Sequence, residues 1–113
     1  MMRQPRQHSD KHLDFVRSLP CLVCENNIET QAAHIRYADD RVAKRYCGKG
    51  EKPDDKFTVP LCGKDHQHQH SMNEREYWEK AGIDPVFVAL ALWSVSGNYE
   101  LGMQIIQRAQ VQR

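Results

Sequence analysis

The chain has 113 residues, of which 40% are hydrophobic and 27% charged, with a formal net charge of +1. That length suits one modest core, and no apolar run approaches the ~20 residues that a membrane span needs. The opening MMRQPRQHSDKH lacks the apolar stretch of a signal peptide. A secreted, membrane-spanning or wholly disordered protein is therefore not expected, and a cytoplasmic one is. The small net charge hides an asymmetry: residues 1–49 hold nine Lys/Arg against six Asp/Glu, and residues 50–113 hold seven against nine. The basic bias of the first half would suit an anionic partner.

In chain order, residues 1–8 are polar and expected to fray. Ser9 can cap a short helix from Asp10 to about Ser18, with Leu13, Phe15 and Val16 on its apolar side, and Pro20 stops it. Cys21-Leu22-Val23-Cys24 with the following Glu-Asn-Asn reads as a tight knuckle. Thr30–Arg36 is a short strand around Ala33 and Ile35. Residues 37–56 are irregular, with one or two helical turns from Asp39 or Asp40 through Tyr46 and a charged, flexible stretch from Glu51 to Lys56. Phe57-Thr58-Val59 is a second strand closed by Pro60. From Gly63 the pattern becomes helical: residues 64–72, then Glu74–Ala81 behind an Asn73/Glu76 capping pair, with Gly82 as stop. Asp84-Pro85 opens an apolar helix to about Ser96. Gly97 ends it, and Asn98 starts a last helix with Leu101, Ile105 and Ile106 on one face. No repeat or low-complexity tract is present. The expected organisation is a tail and short helix over 1–19, a core over 20–82 and a helical extension over 83–113, within one compact α+β unit.

Four cysteines and six histidines carry the chemistry. Cys21 and Cys24 form C-x-x-C, Cys62 follows the second strand, and Asp65, His66, His68 and His70 come directly after it. A C-x-x-C turn offers two thiolates from one loop and Cys62 begins a second half-site, the pattern of a structural zinc site. The fourth ligand is open between Asp65 and Cys47. A thioredoxin-like reading would need a βαβ context that is missing. His66 and His70 lie one helical turn apart on one face and can share a divalent cation, while His68 points away. His34 sits inside an apolar strand, where a lone histidine is ordinarily a hydrogen-bonded core residue.

Together these motifs are similar to those of a known family. C-x-x-C, then A-A-H-I-R, then V-P-L-C-x-x-x-H-x-x-x-H resembles the HNH nucleases, the ββα-metal or His–Me finger superfamily. The run KPDDKFTVPLCGKDHQHQH with REYWEKAGIDP looks like small phage- and prophage-encoded HNH proteins, including the RecA-dependent Ref-type nucleases. The resemblance covers about residues 20–93. It implies a ββα-metal finger stapled by structural zinc, with helices appended. It implies that His34 is the general base, that His66 and His70 hold a catalytic Mg²⁺ or another divalent cation, and that Cys21, Cys24 and Cys62 hold Zn²⁺. The implied activity is metal-dependent DNA hydrolysis leaving 5′-phosphates, with DNA and a recombinase filament as partners. Three positions depart from the pattern. Ala33 stands where many members have a metal ligand. The middle Asn is missing, with Asp54 or Asp55 the nearest substitute and Phe57 at the expected spacing. Asp65 stands where a zinc-ligating Cys or His is usual.

The chemistry agrees with the resemblance. An imidazole with a pKa near ~6.5 suits a general base at neutral pH, and a cation on two neutral imidazoles keeps its charge for a phosphate. Arg36, Arg41, Lys44, Arg45 and Lys49 follow the proposed base and could track a phosphodiester backbone. Tyr37 and Tyr46 could stack on bases. Two other readings stand beside the nuclease: a non-catalytic zinc module that binds nucleic acid or protein, and an adaptor built on the apolar C-terminal helices.

Overall fold

The computed structural model describes residues 7–24, 29–48 and 53–112. The knuckle positions 25–27, together with Lys49, Glu51 and Lys52, lie outside the described residues. The architecture is α+β: a two-stranded antiparallel sheet with five α-helices around it.

Helix α1 (Asp10–Arg17) starts where the sequence places its cap, because the Ser9 hydroxyl accepts from the His12 N–H. It buries His12, Leu13, Phe15 and Val16. Strand β1 (Thr30–His34) pairs with β2 (Thr58–Cys62) in a register running from Thr30 opposite Cys62 to His34 opposite Thr58. The ladder extends one bond further, from the Ile35 N–H to the Phe57 carbonyl.

Strand β2 differs from the expected Phe57–Val59 because it runs straight through Pro60. The register explains why this costs nothing. Pro60 sits opposite Ala32, a position between hydrogen-bonded pairs. Its carbonyl points away from β1 and accepts from the Leu22 N–H at 2.8 Å. The N–H that proline lacks would point the same way, so no ladder bond is lost. Every residue of β2 is buried, since α1, α2 and α4 pack against it.

Among the described residues of the 23 joining the strands there is one 3-10 turn, Asp40–Val42, in place of the longer helix expected up to Tyr46. Helix α2 (Gly63–His70) follows β2 without a loop, and α3 (Glu74–Ala81) is capped by the Asn73 side chain accepting from the Glu76 N–H. Gly82, at φ 72°, turns the chain out of α3 in a left-handed conformation that favours glycine. Helix α4 (Pro85–Ser94) is capped by Asp84. The Asn98 side chain accepts from the Leu101 N–H at the start of α5 (Tyr99–Gln112).

One hydrophobic core joins the sheet to the helices. Val16, Leu19, Leu22, Ile35, Val59, Leu61, Val86, Leu92 and Ile106 are all fully buried in it. Helices α1 and α5 meet at Gly102, where an added Cβ would lie 2.8 Å from Phe15 Cζ. No helix among the described residues is long and apolar enough to cross a membrane.

Candidate metal centre and histidine site

The core brings two distant pieces of chain together. The turn after α1 carries Cys21 and Cys24, and the β2–α2 junction carries Cys62 and Asp65. The Leu22 N–H bond to Pro60 docks the first piece on the second. The four ligand atoms all lie within 4.8 Å of one another. Cys24 Sγ is 3.5 Å from Cys62 Sγ, and Asp65 Oδ2 is 3.2 Å from Cys21 Sγ and 3.3 Å from Cys62 Sγ.

Such spacings are near the edges of a tetrahedron of ligands that a cation could occupy. With metal–sulfur bonds of about 2.3 Å and metal–oxygen bonds of about 2.0 Å, edges of about 3.5–3.8 Å follow. Three thiols with one carboxylate suit a soft or borderline cation, not a hard one that wants only oxygen. The cluster could therefore hold a metal ion. Burial pushes the Cys21 thiol up. Burial also acts to raise Asp65, but hydrogen bonds from Cys24, Cys21 and Cys62 outweigh it and hold the carboxyl low. All four cysteines are free of disulfides. Cys47, the alternative fourth ligand, is buried outside this cluster, with its N–H on the Arg36 carbonyl.

A second constellation lies along β1 and α2. His66 and His70 bring their Nε2 atoms to 3.0 Å from each other. Gln31 on β1 orients the pair. Its Oε1 can only accept, so His66 donates from Nδ1 at 2.7 Å, and the lone pair of neutral His66 sits on Nε2 beside His70. Burial first, then the facing His70 and His34, hold His66 below its ordinary value of 6.5 and favour the neutral form that a cation requires. Among the described residues no third Cys, His or carboxylate joins this pair. Ala33, at the position where the resemblance would place a further ligand, is fully buried. His68 is exposed and stands edge-on to Tyr77.

His34 is not an isolated core histidine. Its Nε2 lies 2.9 Å from Oδ1 of Asp55, whose side chain is entirely buried. An ionised carboxylate would only accept, which would place the ring proton on Nε2 and the lone pair on Nδ1. Of the two aspartates offered as substitutes for the missing Asn, Asp55 makes this contact. Asp54 instead accepts from the Gln7 N–H.

The expected backbone-tracking cations divide. Arg41 is bound to Asp39 and Asp84 and stacks on Phe87. Lys44 is buried at 4% exposure with its ammonium on the Tyr37 carbonyl. Both brace the β1–β2 connection; Lys44 is withdrawn from solvent, whereas Arg41 stays exposed but is ion-paired. Arg45 is exposed, and Arg36 lines a groove of about 740 Å³ with Tyr46 and His70. Tyr37, also offered for stacking, is half-buried under Arg75, and burial first, then Asp84 and Glu74, push its phenol up.

Residues 7 and 8 were expected to fray. They are instead docked on the Asp54–Lys56 loop, and nothing in the sequence pattern signals it.

A family model described as "Protein of unknown function (DUF968)" matches residues 1–96, and the chain belongs to that family. No curated protein and no solved structure matches it.

Proposed function

We propose that this DUF968 chain is a metal-dependent DNA endonuclease of the HNH, ββα-metal type, with zinc in the Cys21/Cys24/Cys62/Asp65 cluster. One observation carries the reading. A histidine on the first strand of a β1–β2–α2 unit is hydrogen-bonded to a buried carboxylate, within electrostatic reach of a histidine pair on the helix.

In this reading Nδ1 of His34 takes the proton of a water whose oxygen attacks phosphorus in line with the 3′ oxygen. The P–O3′ bond breaks, leaving a 5′-phosphate and, after protonation, a 3′-hydroxyl. Asp55 holds the imidazole in the correct tautomer and stabilises the imidazolium that forms. His66 and His70 would hold a divalent cation, which when bound supplies charge stabilisation for the phosphate and the leaving oxygen. Arg36 and Arg45 would anchor flanking phosphates. The recombinase filament rests on the resemblance alone.

A non-catalytic zinc module that binds nucleic acid is the second reading. The two-ligand histidine pair and the buried Ala33 favour it. Plasmid nicking with Mg²⁺, Mn²⁺ or chelator separates the two. The nuclease reading expects cleavage that His34→Ala lowers by ~10²–10⁴-fold with DNA binding kept. Binding without cleavage under any divalent metal leaves the module reading, and cleavage by His34→Ala at the wild-type rate removes the proposed base.

A further inference from the structure

The segment before α1 is tied to the loop that carries Asp55 by five hydrogen bonds in three residues. The Gln7 N–H donates to Asp54 Oδ1 at 2.8 Å, the Asp55 N–H to the Gln7 carbonyl at 3.0 Å, and the Lys56 N–H to Gln7 Oε1 at 2.9 Å. The Ser9 N–H donates to Asp55 Oδ2 at 2.7 Å, and His8 Nδ1 meets the same oxygen at 2.7 Å. The other oxygen of that carboxylate holds His34. From the far side, the Thr58 hydroxyl donates to the Asp55 carbonyl at 2.7 Å.

A fully buried carboxylate must have its oxygens satisfied, or it takes up a proton or moves. Here the N-terminal segment satisfies Oδ2, so the carboxylate is held in place and Oδ1 keeps its aim at His34. Ser9 also caps α1, and α1 is set in the core through Val16. The rigid helix therefore fixes the segment, the segment fixes Asp55, and Asp55 fixes the imidazole.

We infer that residues 7–9 form a strap that positions the proposed base, with His8 and Gln7 as positioning residues acting on His34 through Asp55. The inference rests on the nuclease reading for its consequence in catalysis, but not for the coupling itself. A ring held by a buried carboxylate exchanges its Nε2 proton slowly, whereas a ring whose partner has loosened does not.

The test measures solvent exchange of the His34 Nε2 proton by NMR on the full-length chain, with the Ala33 amide as internal control. It is read beside kcat and KM for plasmid nicking. His8→Ala should speed exchange of the His34 proton at least tenfold and leave the Ala33 amide protected. It should lower kcat about tenfold, with KM nearly unchanged. His8→Asn, whose amide can donate to Asp55, should restore most of both. Gln7→Ala removes only the side-chain acceptor of the Lys56 N–H. It should act in the same direction more weakly, and it keeps the test readable if His8→Ala does not fold. Unchanged His34 exchange in a folded His8→Ala protein, even with a lowered melting temperature, overturns the strap. Altered exchange in a protein that cuts no DNA supports the strap and removes the nuclease reading instead.

Discussion

Removing a metal held by the Cys21/Cys24/Cys62/Asp65 cluster should unlock the junction on which both halves of the site depend. The cluster ties the turn after α1 to the start of α2, the helix that carries His66 and His70. Three of its ligand–ligand distances, 3.2–3.5 Å, and the 4.8 Å bound on all of them place the four groups close enough for one cation. If free metal exceeds the dissociation constant about a thousandfold, binding adds about 4 kcal/mol to folding stability. In a domain of this size each kcal/mol moves the melting temperature by about 4 °C. Strong chelation should therefore lower it by about 15 °C. The assay is elemental analysis of the purified chain, followed by thermal melts with and without chelator. About one equivalent of zinc is expected. Cys62→Ser should lose it, Asp65→Ala should hold it more weakly, and Cys47→Ser should leave its stoichiometry unchanged, because Cys47 lies outside the cluster. A protein that is purified without metal and melts at the same temperature in chelator refutes the staple. Loss of zinc on Cys47→Ser refutes the assignment of the fourth ligand.

His66→Ala and His70→Ala should each abolish nicking while elemental analysis still finds the tightly held zinc, since the two sites share no ligand. Loss of zinc with either variant would merge the sites. Burial holds His12 below its ordinary value of 6.5, only partly countered by Asp55, with Nδ1 on the Ser96 hydroxyl and Nε2 buried without a partner among the described residues. Its depressed folded pKa means full stability above about pH 6.5 and loss as pH falls from there towards the folded value. Each tenfold difference in proton affinity costs about 1.4 kcal/mol, and urea melts of wild type and His12→Gln across pH 5–8 should show that slope in wild type alone. Gly102→Ala would place a Cβ 2.8 Å from Phe15 and 3.1 Å from Leu19. Overpacking of about 1–3 kcal/mol should outweigh the ~1 kcal/mol gain in helix propensity, and a melting temperature at or above wild type would show that α1 gives way freely.

Much of this protein is written locally. Ser9, Asn73, Asp84 and Asn98 cap the helices they precede, since a cap acts within three residues of itself. The C-x-x-C turn and the His66/His70 spacing were legible for the same reason: one turn of loop or helix sets the geometry of each. The choice between Asp65 and Cys47 was not. Both are compatible ligands in sequence, and only the docking of Leu22 on Pro60 decides which one meets the C-x-x-C turn. Pro60 read as a strand end, because its tolerance depends on which side of β2 faces β1, and pairing register is a property of two strands together. Arg41 and Lys44 read as free cations, but Asp84 and the Tyr37 carbonyl occupy them. The partnership of His34 with Asp55, 21 residues apart, and of Asp55 with the N-terminal segment, 46 residues away at Ser9, left no local trace. Such contacts form only when the sheet and α1 have packed, because a buried carboxylate takes whichever donors the fold delivers. The sequence by itself placed the helix caps and the ligand-bearing turns; tertiary packing decided where β2 runs and which groups meet.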